Sequence, residues 1–462
     1  MSALVDSADN PEIEAVDRAS PGWRQSGGQP SLPEVFRSIT IPKGAGFLRR
    51  LFAFAGPGYL VAVGYMDPGN WATDIAGGSA YNYRLLSVVL ISNFLAIFLQ
   101  ALAAKLGIVT GRDLAQACRD AYGKPVAILL WLSAEVAIVA CDLAEVIGAA
   151  IALNLLFQLP LIIGVVVTVL DVLLVLALQH KGFRWIETLV ITLIVTMMGI
   201  FAAEMFFARP DVAGILTGFI PHAEIIHDPK MLYIALGILG ATVMPHNLYL
   251  HSSIVQTRNY GRSLSEIRDA IRMAVTDSTV ALMLALFVNA AILILAASTF
   301  YKSGHHEIAS IEEAYKMLTP LLGVSIAAPL FAIALLAAGQ NSTLTGTLAG
   351  QIVLEGFTQF RIAPWLRRVI SRGIAIIPAV VVIWLYGEKG TGQLLLLSQV
   401  VLSVQLSFAV IPLIQFTSDK AKMGPFVNRL PTKIIGWTIA AVIAGLNAYL
   451  VYATIIPSAA PK

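Results

Sequence analysis

The sequence predicts an all-α polytopic membrane protein. It reads as eleven transmembrane helices: an inverted repeat of five plus five, with helices 1 and 6 broken, and one extra helix. Three observations predict this. The chain of 462 residues is 57% hydrophobic and 13% charged, with mean hydropathy +0.77, whereas soluble domains carry roughly 25% charged residues. Its apolar runs recur at the length a bilayer span requires, about 20 residues each. Two of those runs, the first and the sixth, are interrupted by proline with polar residues beside it, at "GYMDPGNWATDI" (64–75) and "MPHNLYLHS" (244–252).

Residues 1–45 are polar and rich in Pro, Ser and Gly. They read as a flexible cytoplasmic tail, and no apolar h-region with a small-residue cleavage site marks a signal peptide. The spans follow at 51–79, 85–109, 125–155, 161–179, 185–207, 231–257, 274–299, 325–357, 369–386, 392–416 and 433–455. With the N-terminus placed inside, all of the 31 lysines and arginines fall on the inner side except seven: Arg84, Arg209, Lys230, Lys302, Lys316, Lys389 and Lys462. That asymmetry predicts a cytoplasmic N-terminus and an extracytoplasmic C-terminus. The expected organisation is a transport core over 46–416, with repeats at 46–207 and 231–416, followed by the eleventh helix and C-terminal end at 417–462. Cys118 and Cys141, one in a polar loop and one in an apolar helix, predict neither a disulfide nor a zinc site.

The two breaks carry the chemistry. Proline removes a backbone donor, and unwound backbone at membrane depth survives only where it is buried in protein or lines a cavity. Paired breaks in corresponding helices of two repeats mark a secondary transporter's binding site. The donors there are the Asp67 carboxylate, the Asn70 amide oxygen, carbonyls such as those of Ala241 or Gly64, and the Met244 thioether. Oxygen donors suit hard divalent cations and a thioether suits softer ones. The mixture favours Mn²⁺ or Fe²⁺ over Mg²⁺ or Ca²⁺.

These two motifs closely resemble the signatures of the Nramp family of divalent-metal transporters, and the resemblance runs across 45–455. It implies the inverted-repeat fold of the amino-acid transporter LeuT and proton-coupled import of Mn²⁺, with Fe²⁺ and Cd²⁺ as further cargo. It also implies a bacterial cytoplasmic (inner) membrane location. The implied metal site is Asp67, Asn70 and Met244, joined in some conformations by the Ala241 carbonyl and the Gln399 side chain. One branch of the family lacks the methionine and moves magnesium or aluminium; Met244 keeps this chain out of it.

Helix 3 adds a row of acids in "AEVAIVACDLAEVIG" (134–148), where Glu135, Asp142 and Glu145 share one face. Three carboxylates cannot face lipid, so the row predicts a proton relay. His246 in the second break and His251 five residues on belong to it, with Arg258 and Arg372 as candidate basic partners. In Nramp proteins the matching positions form a proton and salt-bridge network. Asn93 and Asn289 sit in corresponding helices 2 and 7. They either line the outer path or make an interhelical hydrogen bond.

The expected partners are the metal ion, protons and the lipid bilayer, with no prosthetic group, nucleic acid or obligate protein partner. A Na⁺-coupled small-solute transporter of the same fold is the alternative, though Asp67 within the break disfavours an anionic substrate. An intramembrane metalloenzyme is a poorer one: its two histidines would need a spacing of four with a general base between them, and the spacing here is five.

Overall fold

In the computed structural model the described residues are 22–25, 28–42, 44–170, 183–306, 308 and 310–455. Among them the regular structure is helical except for one small parallel pair, in which β1 (Ile39–Thr40) lies beside β2 (Arg258–Asn259). Among the described residues, nine helices are long and apolar enough to cross a membrane by length and composition. The first of them joins the second half of helix 1 to helix 2 through a turn of 3-10 helix at Asn82–Leu85. Helix 4 begins at Leu161, and its expected remainder from 171 lies outside the described residues. The number eleven stays an expectation.

Boundaries elsewhere follow hydropathy closely. Helix 3 runs Lys124–Phe157, helix 5 Phe183–Ala208, helix 8 Ala327–Thr358, helix 9 Pro364–Tyr386, helix 10 Glu388–Thr417 and helix 11 Leu430–Ile455. Helix 7 starts at Leu264, well before residue 274. Its polar first turns reach beyond the apolar span, and Ser263 and Glu266 close them with a capping box. Large apolar side chains such as Leu129, Trp185, Phe206 and Trp384 point outward, a surface suited to lipid and not to water.

Helices 1 and 6, 2 and 7, and 3 and 8 pack against one another. Each pair joins equivalent members of the two repeats, as a two-fold relation between inverted halves requires. Trp71, in the second half of helix 1, holds the centre, with Phe201 of helix 5 at 5.0 Å and Phe331 of helix 8 at 5.1 Å between ring centroids.

Helix 1 is broken twice, where one break was expected. Its pieces are Phe47–Phe54, Pro57–Val63 with a 3-10 turn at Gly64–Met66, and Pro68–Tyr81. The extra break turns at Gly56, whose φ of 142° is open only to glycine at low cost.

The expected tail needs a correction as well. Residues 1–21 lie outside the described residues, but the described part between Gly22 and Pro42 is docked. Ser31 Oγ donates to Asp113 Oδ2 at 2.6 Å, Leu32 N donates to Glu355 Oε2 at 3.3 Å, and Gln116 Nε2 donates to the Gln29 carbonyl at 2.8 Å. Composition misleads here because hydrogen bonds and a few scattered buried apolar side chains, among them Leu32, Ile39 and Ile41, hold the segment without any continuous apolar run.

Candidate functional site

Each half of the site is built by a proline. In an α-helix a carbonyl accepts from the N–H four residues on. Four residues after Gly64 stands Pro68, and four after Ala241 stands Pro245. Neither carries an N–H, so both carbonyls lose their helical donor. The first half of helix 6 ends at Thr242, and the second half begins at Pro245. Val243 and Met244 bridge the two in non-helical backbone.

Asp67 is the N-cap of Pro68–Tyr81, and its Oδ1 accepts the Asn70 N–H at 2.9 Å. Among the described residues this leaves Oδ2 with no partner, and Asn70 Oδ1 has none either. Helix 10 brings Gln399 against the break, and its Oε1 is also unpartnered. A Cβ on Gly69 would collide with the Gln399 amide, so glycine is what leaves room for that side chain at the break. The Asn247 side chain lies against Gly64, which places the two breaks together, and Pro68 packs on Gly148 of helix 3. Asp67, Asn70, Ala241, Met244 and Gln399 are all buried.

Buried polar atoms without partners are rare and costly. Three unpartnered acceptor oxygens, two freed carbonyl positions and a thioether suit a partly dehydrated divalent cation. Among the described residues no group of three His, Cys, Asp or Glu side chains is placed to hold a metal ion. This donor set is not the closed Cys and His shell of a structural zinc site.

The acids of helix 3 meet arginines of helix 9. Glu135 pairs with Arg367 at 2.8 Å. Asp142 pairs with Arg368. Glu145 Oε2 receives both Arg368 at 2.9 Å and Arg372 at 3.2 Å. Arg372 also donates to Thr343 Oγ1 of helix 8 at 2.6 Å. His246 joins the row through Cys141, whose Sγ lies 3.8 Å from His246 Nε2 and 3.6 Å from Glu145 Oε1.

Two expected members of the row sit elsewhere. Arg258 pairs with Glu187 of helix 5 at 2.6 Å and donates to the carbonyls of Phe54 and Ala55. Asp277 of helix 7 accepts the Gly58 N–H at 2.7 Å on the same turn. Arg258 therefore clamps the first break of helix 1. His251 Nδ1 lies 3.0 Å from Gln100 Oε1, and Gln100 donates to the Tyr65 hydroxyl at 2.9 Å, a separate chain. Asn289 donates to the Tyr65 carbonyl at 2.7 Å, securing the helix 1 break. Asn93 is buried, with its amide 3.9 Å from Met283 Sδ.

Sequence reasoning missed Arg367 and Arg368. The signal was present in "RRVISR" (367–372), where Arg368 and Arg372 are one helical turn apart in an apolar span.

A family model described as natural resistance-associated macrophage protein-like, Nramp, matches residues 58–453. The divalent metal cation transporter MntH of Listeria innocua is 62% identical over 442 residues, covering 96% of this chain and 99% of the relative. The manganese transporter of Eremococcus coleocola superimposes with TM-score 0.87 at 41% identity, covering 94% of this chain and 93% of that one. Mhp1, a nucleobase-cation-symport-1 family transporter, shares the fold at TM-score 0.57 and 15% identity, over 87% and 93% of the two chains.

Proposed function

This chain belongs to the Nramp family, and from that premise we propose that it imports Mn²⁺ and related divalent transition metals together with protons by alternating access. The observation that carries the reading is the set of unpartnered buried oxygens on Asp67, Asn70 and Gln399 at the two proline breaks. The ion sits among them, with the Ala241 carbonyl and the Met244 thioether completing its shell. Asp67 supplies the only carboxylate in the two breaks, and a dication at membrane depth requires such compensation.

Protons move along helix 3. Arg367, Arg368 and Arg372 hold Glu135, Asp142 and Glu145 in one continuous row. His246 links that row to the metal, because it follows Met244 and Pro245 directly in the break. The protein lies in a cytoplasmic membrane with its N-terminus inside, as the lysine and arginine asymmetry supports.

The test is uptake into proteoliposomes with internal pH recorded. Wild type accumulates Mn²⁺ and acidifies the lumen. Asp67→Ala remains folded and takes up no Mn²⁺ above background. Wild-type Mn²⁺ affinity in folded Asp67→Ala would overturn the site assignment, and Mn²⁺ uptake without acidification in wild type would overturn proton coupling.

A further inference from the structure

Away from the metal site, a cavity of about 330 Å³ lies where the start of helix 3, the end of helix 8 and the docked N-terminal segment meet. Gln25, Arg119, Lys124 and Gln359 give it polar walls, and Ile128 and Trp131 an apolar one. No Asp or Glu lines it. Its volume falls within the roughly 300–1,000 Å³ of small-molecule sites.

Positive charge gathers here without being cancelled. Asp120 is shared by two arginines, Arg112 and Arg119, each at 2.8 Å, so the three side chains together keep one positive charge. The Arg119 side chain is 9% exposed. Its Nη1 donates to the Gly356 carbonyl at 2.8 Å, while its Nη2 is buried with no partner among the described residues. A buried donor left without an acceptor is costly. Lys124 is exposed, and among the described residues no carboxylate pairs with it. Arg24 lies near Gly123, the N-cap of helix 3, which supplies no side-chain cap. The uncapped N–H groups of that helix add their own positive pole.

We propose that this cavity binds the headgroup of an anionic phospholipid. The charge selects a phosphate, and Arg119, Lys124 and the Gln359 amide are its donors. The surface beside them selects a lipid over a free phosphate ion. Lys124, Ile128 and Trp131 follow one another at spacings of four and three, on one face of helix 3. Val126, Leu129 and Leu132 of the same helix are exposed. Acyl chains cover such a surface, whereas a phosphate ion in water leaves it bare. Trp131 stands where polar lining gives way to apolar surface, as tryptophans do at a membrane interface. Basic pockets on the cytoplasmic side of transmembrane helices are where anionic headgroups dock, and helix 3 starts on the side richer in lysine and arginine. Trp131 also donates to Glu135 Oε1 at 3.0 Å, and Arg367 holds the same carboxylate. A bound headgroup therefore lies one side chain from the first acid of the helix 3 row.

The test uses the full-length protein reconstituted in mixed bilayers of phosphatidylglycerol and phosphatidylcholine. Brominated acyl chains, which quench tryptophan fluorescence on contact, are placed on one lipid or on the other at equal mole fraction. The chain has seven tryptophans, so Trp131→Phe measured in parallel isolates the Trp131 signal. Each cation facing a headgroup is worth about fivefold in affinity. Trp131 in wild type should prefer phosphatidylglycerol by about fivefold or more, and Lys124→Gln, a change at an exposed position, should cut that preference by about fivefold.

Equal quenching of Trp131 by the two lipids in wild type would overturn the proposal without reference to any variant. A preference unchanged in Lys124→Gln would overturn it too. Excess inorganic phosphate that abolished the wild-type preference would assign the cavity to a soluble anion and overturn the lipid assignment; a preference that survives it supports the lipid.

Discussion

In the proposed site Met244 is the one soft donor beside the oxygens of Asp67, Asn70 and Gln399. A thioether adds little to Mg²⁺ or Ca²⁺, which take oxygen, and its methyl denies them a water there. Met244→Ala is expected to weaken Cd²⁺ most and Mn²⁺ moderately, and to admit Ca²⁺. Mn²⁺ uptake measured in excess Ca²⁺ checks this; an unchanged ranking of metals would reduce Met244 to packing. The arginines of helix 9 separate by the burial of their partners. The side chains of Asp142 and Glu145 are 1% and 0% exposed, against 26% for Glu135. Removing one partner of a fully buried pair costs about 3–5 kcal/mol, whereas a pair in contact with solvent is worth about 1 kcal/mol or less. Arg368→Leu should therefore lower the unfolding temperature far more than Arg367→Leu, and equal losses in a thermal scan would contradict the pairing described.

Broken helices require close neighbours as well as prolines. The Gln399 amide reaches the Asp67–Pro68 break only because Gly69 has no Cβ to meet it. Gly69→Ala forces one of the two to move. Overpacking of this kind costs about 1–3 kcal/mol, or about 5- to 150-fold if the whole cost falls on the bound state. The expected result is weaker Mn²⁺ binding by calorimetry with the fold retained. Unaltered affinity would mean that Gln399 does not meet the ion. The extra break of helix 1, at Gly56, has a different support: Arg258 holds the carbonyls of Phe54 and Ala55, and Asp277 holds the amide of Gly58. One break of helix 1 thus carries a proline and a glycine beside Gln399, and the other is clamped by charge.

Across the whole molecule, the described part of the segment between Gly22 and Pro42 ties together elements far apart in sequence. It meets Asp113 after helix 2, Glu355 at the end of helix 8, and β2 after helix 6. Asp113 caps the short helix Leu114–Ala121 and is buried beneath the Ser31 hydroxyl. Burial raises its carboxyl from 3.8 to about 6, against the opposing pull of the Ser31 hydroxyl and the Gln116 N–H. The folded protein therefore holds this proton between about pH 4 and pH 6, where the unfolded chain has lost it. Stability from this group is present below that window, falls as pH rises through it, and is level above. The change amounts to about 3 kcal/mol. Asp113→Asn should flatten that part of the profile while keeping the helix cap. Thermal scans from pH 4 to pH 7 on both proteins check this, and identical slopes would remove Asp113 as the source.

The sequence by itself determined the membrane class, the positions of most spans, the two proline breaks and the presence of Asp67, Asn70 and Met244 beside them. These are local properties: hydropathy is read within one span, and a proline removes its donor wherever it stands. The acids of helix 3 were legible as a row because helical spacing alone puts them on one face. Tertiary structure decided the rest. Which arginine meets which acid depends on how helices 3 and 9 rotate and stack, so Arg367 and Arg368 entered the row while Arg258 went to Glu187. His251 likewise turned to Gln100, and the polar N-terminal segment found its partners 82 and 323 residues away at Asp113 and Glu355. Contacts between residues so distant are set by packing of the assembled helices, which no local pattern encodes.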